Sequence, residues 1–104
     1  MAIQAAGELL DGCILSVLAK EDAYGYKLTQ NLKETLEVSE STLYPIMRRL
    51  QKEECLTVYD EPHSGRNRRY YKITESGHQK LREIMSNWTE FKSKINIFLG
   101  DKTE

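Results

Sequence analysis

Ser39-Glu40-Ser41-Thr42-Leu43-Tyr44-Pro45-Ile46-Met47-Arg48-Arg49-Leu50-Gln51-Lys52 is the stretch that decides the fold. Leu43, Ile46, Met47 and Leu50 recur at helical spacing and form one apolar face. At ~100° per residue, Ser41, Pro45, Arg48 and Lys52 point the opposite way. Tyr44 and Gln51 flank one side of that polar face, and Thr42 and Arg49 the other. Ser39, Ser41 and Thr42 are all suited to cap the N-terminus. A start near Thr42 places Pro45 in the first turn, whereas a start at Ser39 puts it farther in and bends the axis. The sequence leaves both starts open. Such a helix keeps one face in a core and offers hydroxyls, a tyrosine and arginines on the other. Its diameter and chemistry suit a DNA major groove ~12 Å wide.

Upstream, Leu9, Leu10, Cys13, Ile14, Val17 and Leu18 form an apolar stripe that predicts a core helix over about 5–20. The polar run Lys20 to Gly25 reads as a turn. A second helix follows from about Tyr26, with Leu28, Leu32 and Leu36 on one face. Downstream, Leu56 and Val58 alternate with Thr57 and Tyr59 as a strand does, and Arg68 to Ile73 makes a second strand. Asp60 to Asn67 is a loop by composition, so the pair forms a hairpin with a basic tip. Tyr70 and Tyr71 fall on opposite faces of their strand, and one of them belongs to the core.

Thr74 caps the final helix. Its large apolar residues Leu81, Ile84, Trp88, Phe91, Ile95 and Phe98 alternate three and four positions apart, the seam of a heptad repeat. A domain of this size cannot cover so long a stripe, which predicts a homodimer built on this helix. Gly77 lies in its first turn, where close approach of another backbone would account for a poor helix former.

A chain of 104 residues, 39% hydrophobic and 30% charged, makes one ordinary domain. No apolar run reaches the ~18–20 residues of a membrane span, and the first residues lack the pattern of a leader, so a cytoplasmic protein is expected. Cys13 and Cys55 are far apart, without C-x-x-C spacing, and His63 and His78 stand near no cysteine–acid cluster. Neither a disulfide framework nor a metal site is expected. No nucleophile–base pair, carboxylate dyad or glycine-rich phosphate loop occurs at diagnostic spacing, which argues against an enzyme.

The net charge of −1 hides an uneven distribution. Residues 1–38 carry three bases against six acids, residues 39–73 seven bases against five acids, and residues 74–104 five of each. Residues 62–73 hold Arg66, Arg68, Arg69 and Lys72 without an acid. A basic cluster alone reads as a solvated hairpin tip; following a helix–turn–helix, it gains an anionic partner.

The order of elements is that of a winged helix-turn-helix. The expected class is mainly α with a small β-hairpin. It comprises a DNA-binding region over residues 1–73, a dimerisation helix over 74–100 and a tail at 101–104, within one compact domain. The expected DNA contacts are Ser39, Ser41, Thr42, Tyr44 and Arg48 on the third helix, with Arg66, Asn67, Arg68 and Arg69 on the wing. Arg49 divides evenly between DNA and an internal acid. The expected dimer contacts are Leu81, Ile84, Trp88, Phe91, Ile95 and Phe98, and an inverted-repeat duplex is the expected partner. A protein-interaction module is the alternative, but a docking wing has no need of three clustered arginines.

Three segments carry a family resemblance: Tyr24-Gly25-Tyr26-Lys27-Leu28, Ser41 to Leu50, and Gly65-Arg66-Asn67-Arg68-Arg69-Tyr70-Tyr71-Lys72-Ile73-Thr74-Glu75-Ser76-Gly77. Together they resemble the signature blocks of the PadR family of bacterial transcriptional regulators, over about residues 8–98. The resemblance implies a dimeric winged-helix repressor of a nearby efflux or stress-defence gene, without a cofactor. The short length resembles the compact subfamily, which includes sensors of toxic aromatic compounds. Such members carry a tryptophan at the place of Trp88, implying a planar aromatic ligand there. One departure is Glu54, where similar sequences have glycine. Either Glu54 takes a left-handed conformation at some strain, or the recognition helix ends differently.

Overall fold

The computed structural model describes residues 5–100; the expected tail at 101–104 lies outside them. The elements are α1 (Ala5–Lys20), β1 (Ala23–Tyr24), α2 (Gly25–Leu36), α3 (Glu40–Lys52), β2 (Leu56–His63), β3 (Arg66–Ile73) and α4 (Glu75–Leu99). Four helices and a small antiparallel sheet bear out the mainly α winged arrangement.

Two local readings are corrected. The segment 20–25 holds a short strand, β1, which pairs with Tyr70 and Tyr71 and makes the sheet three-stranded in the order β1-β3-β2. The hairpin is also longer than its composition suggests: Asp60 to His63 and Arg66 to Asn67 continue the strands, leaving Ser64-Gly65 as the turn. Both turn residues have positive φ, 53° and 79°, as a two-residue type I′ turn requires. Pro62 fits because β2 is an edge strand. Opposite charges face each other at Asp60–Arg69 and Glu61–Arg68, supporting the ladder beyond the apolar residues.

The core gathers Ile14, Leu15 and Leu18 of α1, Leu28 and Leu32 of α2, Leu43, Met47 and Leu50 of α3, Leu56, Tyr71 and Ile73 of the sheet, and Leu81 of α4. The predicted α2 stripe stops one turn early. Leu36 is 41% exposed, because the helix ends there and Glu37 turns the chain at φ 58°. Of the two tyrosines, Tyr71 is the buried one.

α3 takes the earlier of its two starts. The Ser39 carbonyl accepts from the N–H groups of Thr42 and Leu43, and Pro45 lies inside the helix. Its C-terminus answers the question posed by Glu54. The Cys55 N–H donates to the Leu50 carbonyl at 2.8 Å and the Glu54 N–H to that of Gln51 at 3.0 Å. Glu54 itself sits at φ 64°. This is the Schellman closure usually built on glycine, with Glu54 bearing the strain.

Thr74 caps α4 as expected, accepting from the Gly77 N–H at 3.0 Å. Gly77 is buried against the Cys55 carbonyl, the close backbone approach foreseen for it. α4 then extends past the core, giving the molecule a long dimension of 58 Å against 27 and 23 Å.

Candidate nucleic-acid interface

The polar flank of α3 is built by its own periodicity. With Leu43, Met47 and Leu50 in the core, Ser41, Thr42, Pro45 and Arg48 face solvent. Ser39 also lies exposed. Its hydroxyl caps no backbone group and instead lies 2.9 Å from Ser41 Oγ and 3.2 Å from Thr42 Oγ1. Three hydroxyls thus form an exposed cluster at the helix start, each able to donate or accept. Tyr44 is half-buried against the core edge while its neighbours on the polar flank are exposed.

The wing residues divide into separate environments. Arg66 and Asn67 are exposed beside the turn, with His63 opposite Arg66. Arg68 lies on the outer face of the sheet, its guanidinium 4.7 Å from the centre of the Tyr24 ring. Arg69, on the other face, pairs loosely with Asp60 at 3.7 Å. Strand alternation explains the split.

The base of the wing is a tyrosine row that sequence reasoning missed. Tyr59 stacks on Tyr70 with centroids 5.5 Å apart and 12° between planes, and Tyr24 lies 6.0 Å beyond. The Tyr59 hydroxyl donates to Asp22 at 2.6 Å, and that bond pushes its pKa up to about 12. The alternation of Tyr59 with Leu56 and Val58 was visible in the sequence, but its pairing with Tyr70 needed the register of β2 on β3, and the third member needed β1. On the inner face, burial pushes the Tyr71 phenol above its usual range, with the positive charges of Arg69 and Arg48 opposing. Tyr71 belongs to the core cluster against which Tyr44 of α3 also packs.

Arg49 turns inward. Its Nη2 lies 2.7 Å from Oδ1 of Asp11, which is 3% exposed on α1. The signal was an acid, Asp11, set beside the apolar stripe of α1, which needs a cationic partner when buried.

The α4 seam also divides. Leu81 and Ile84, expected at a dimer contact, are buried within the protomer, with Ile84 packed on Gly12. Heptad spacing does not distinguish a stripe covered by α1 from one left for a partner. Trp88, Phe91, Ile95 and Phe98 lie beyond that cover, from 36% exposed at Phe91 to 75% at Phe98, together with Met85 and Leu99. Lys92 Nζ stands 5.9 Å from the centre of the Trp88 ring. Among the described residues no helix is long and apolar enough to cross a membrane, and no group of three or more histidine, cysteine or acidic side chains is placed to hold a metal ion.

Comparison with known proteins agrees with this geometry. The chain is 33% identical to smu.1704 from Streptococcus mutans, the match covering 100% of both chains at a TM-score of 0.83. It is 34% identical to a PadR-like transcriptional regulator from Bacillus cereus, over 90% of this chain and 94% of that one, at a TM-score of 0.80. Bacillus subtilis PadR, crystallised in complex with operator DNA, is 28% identical over 74% of this chain and 46% of its own, at a TM-score of 0.66. Residues 14–83 match the profile of the transcriptional regulator PadR-like family. The chain belongs to the PadR-like family of transcriptional regulators and is not an enzyme.

Proposed function

We propose that this regulator is a cytoplasmic homodimer that represses an efflux or stress-defence gene by binding an inverted-repeat operator. The observation that carries the DNA-binding part is the solvent-facing flank of α3, where Ser39, Ser41, Thr42 and Arg48 stand clear of the core. Tyr44 borders that flank, and Arg66 and Asn67 extend the surface at the wing tip, with Arg68 and Arg69 behind them. Hydroxyls and backbone-directed arginines fix register, and an arginine on the helix reads guanine. The operator complex of the Bacillus subtilis relative supports the same reading.

A second copy is the occupant of the α4 stripe. Trp88, Phe91, Ile95 and Phe98 leave an apolar band exposed along one helix, and an identical helix is complementary to it in length and pattern. Leu81 and Ile84 then support the helix from beneath instead of meeting the partner. A two-fold axis at this stripe brings the two copies of Trp88 together, a site where a planar aromatic compound stacks. A ligand that favours one spacing of the subunits releases DNA through its differential affinity for the two states.

Titrating planar aromatic dyes against Trp88 emission and against a protein–DNA complex tests this effector. Quenching accompanied by DNA release is the expected result. Unchanged emission with the complex intact across a broad panel refutes the effector and leaves the DNA-binding reading in place.

A further inference from the structure

Three helices meet at a small ring of charges. Asp11 of α1 is buried, and Arg49 Nη2 of α3 lies 2.7 Å from its Oδ1. Lys80 Nζ of α4 lies 3.9 Å from its Oδ2. Lys80 also reaches Glu53 Oε1 at 3.5 Å, and Glu53 Oε2 lies 3.5 Å from Arg49 Nη1, which closes the ring. Within the ring Asp11 alone is buried, while Arg49, Glu53 and Lys80 remain partly exposed. Such pairs add little net stability, through desolvation at the buried end and screening at the exposed end, and their best-attested contribution is register. This ring fixes the recognition helix against both α1 and α4.

The backbone beside it is equally constrained. Thr74 Oγ1 donates to the Glu54 carbonyl at 2.6 Å, and the Thr74 N–H donates to that of Cys55 at 3.1 Å. The end of α3 and the start of α4 therefore share hydrogen bonds at one point, and the charge ring braces the angle between them about that point. On α3, the anchored Arg49 adjoins the exposed Arg48. On α4, Lys80 precedes the exposed stripe at Trp88 by two turns, roughly 12 Å at 1.5 Å per residue.

We propose that Asp11 and Lys80 are positioning residues that, through Arg49, set the half-site spacing at which the dimer binds DNA. The inference rests on the dimeric DNA-binding reading above. The ring joins the helix that presents the DNA-facing flank to the helix that meets the second copy. One base pair of added spacing moves a half-site by about 3.4 Å and turns it by about 35°. A rigid link resists that change and a loosened one follows it.

The test uses Lys80→Met, because Lys80 is partly exposed and its loss leaves the Asp11–Arg49 pair intact. Lys80→Arg is the conservative control. An inverted repeat selected from random duplexes is compared, by fluorescence anisotropy, with versions one base pair longer or shorter. The wild type and Lys80→Arg are expected to lose about tenfold in affinity on a one-base-pair change, an ordinary coupling magnitude. Lys80→Met is expected to lose less than about threefold, with affinity for the selected site within that same range. A spacing penalty as large in Lys80→Met as in the wild type overturns the inference.

Spin labels at Lys52→Cys, in a Cys13→Ala background, give a readout that does not need DNA. The distance distribution between the two labels should be broader in Lys80→Met than in the parent, and an unchanged distribution overturns the inference. A parent that sediments as a monomer overturns the dimer reading, and this inference with it. A dimer that binds the repeat with unaltered spacing behaviour in Lys80→Met overturns this inference alone.

Discussion

Gly77, in the first turn of α4, packs directly on the carbonyl oxygen of Cys55, and a Cβ added there would also stand 2.7 Å from Ile73 Cγ1. The recognition helix ends, the sheet begins and α4 starts at this one contact. Alanine in a helix ordinarily gains ~1 kcal/mol over glycine. Here overlap with a hydrogen-bonded backbone outweighs that gain. Gly77→Ala is expected to destabilise by about 1–3 kcal/mol, the range of overpacked cores. Thermal unfolding measures it, and an unchanged or raised Tm contradicts the assignment.

Glu54 presents the opposite case. It holds φ 64° where a glycine would be relaxed, and it places an acid beside Glu53 at the negative end of α3. Glu54→Gly is expected to stabilise by about 1 kcal/mol, the ordinary penalty of a non-glycine residue in this region. The Thr74 bond survives because it uses the Glu54 backbone carbonyl. Denaturant unfolding should show a higher midpoint at unchanged slope.

These two residues also show what the sequence made legible. The helical periodicities of α1, α3 and α4 and the Thr74 cap come from local spacing, which survives without knowledge of neighbours. β1 was invisible because its two residues have no pattern of their own; Tyr24 is a strand residue only because Tyr70 is opposite. Asp60 to His63 looked like loop because they carry no apolar alternation and the support at Asp60 and Glu61 is cross-strand charge pairing with Arg69 and Arg68. Leu81 and Ile84 looked like interface because one heptad stripe serves two surfaces, α1 first and solvent beyond. The site was legible as a polar flank and a basic wing, whereas the inward turn of Arg49 required seeing Asp11.

The Tyr59–Asp22 bond gives a pH-dependent prediction. The Tyr59 phenol is raised from 10.0 to about 12, first by that hydrogen bond. The folded state therefore keeps a proton that the unfolded state releases between these values, and stability falls as pH rises across them. The contribution is fully present below pH ~10 and lost as pH passes ~12. Tyr59→Phe should flatten that alkaline decline and remove one late-titrating phenol from the ultraviolet absorbance titration. An unaltered decline in the variant contradicts the bond.

The arginines should separate by environment. Arg48→Ala is expected to lose about 1–3 kcal/mol of discrimination at one base pair if it reads guanine. Arg66→Ala should weaken all duplexes alike and reduce the salt slope by about 1, as loss of a phosphate contact does. Arg69, paired with Asp60, and Arg68, stacked on Tyr24, should each matter less than Arg66. Anisotropy titrations on matched and mismatched duplexes at several salt concentrations decide it. Equal losses at all three wing positions would contradict the division of the wing.

The most direct test of a dimer that reads DNA through α3 is a sedimentation-velocity measurement of the protein with a duplex selected from random sequence. The predicted result is two chains per duplex on an inverted repeat. Ile95→Asp with Phe98→Asp should reduce the free protein to monomers or insoluble material. A wild-type chain that stays monomeric, or binds the selected duplex no better than a scrambled one, contradicts the account.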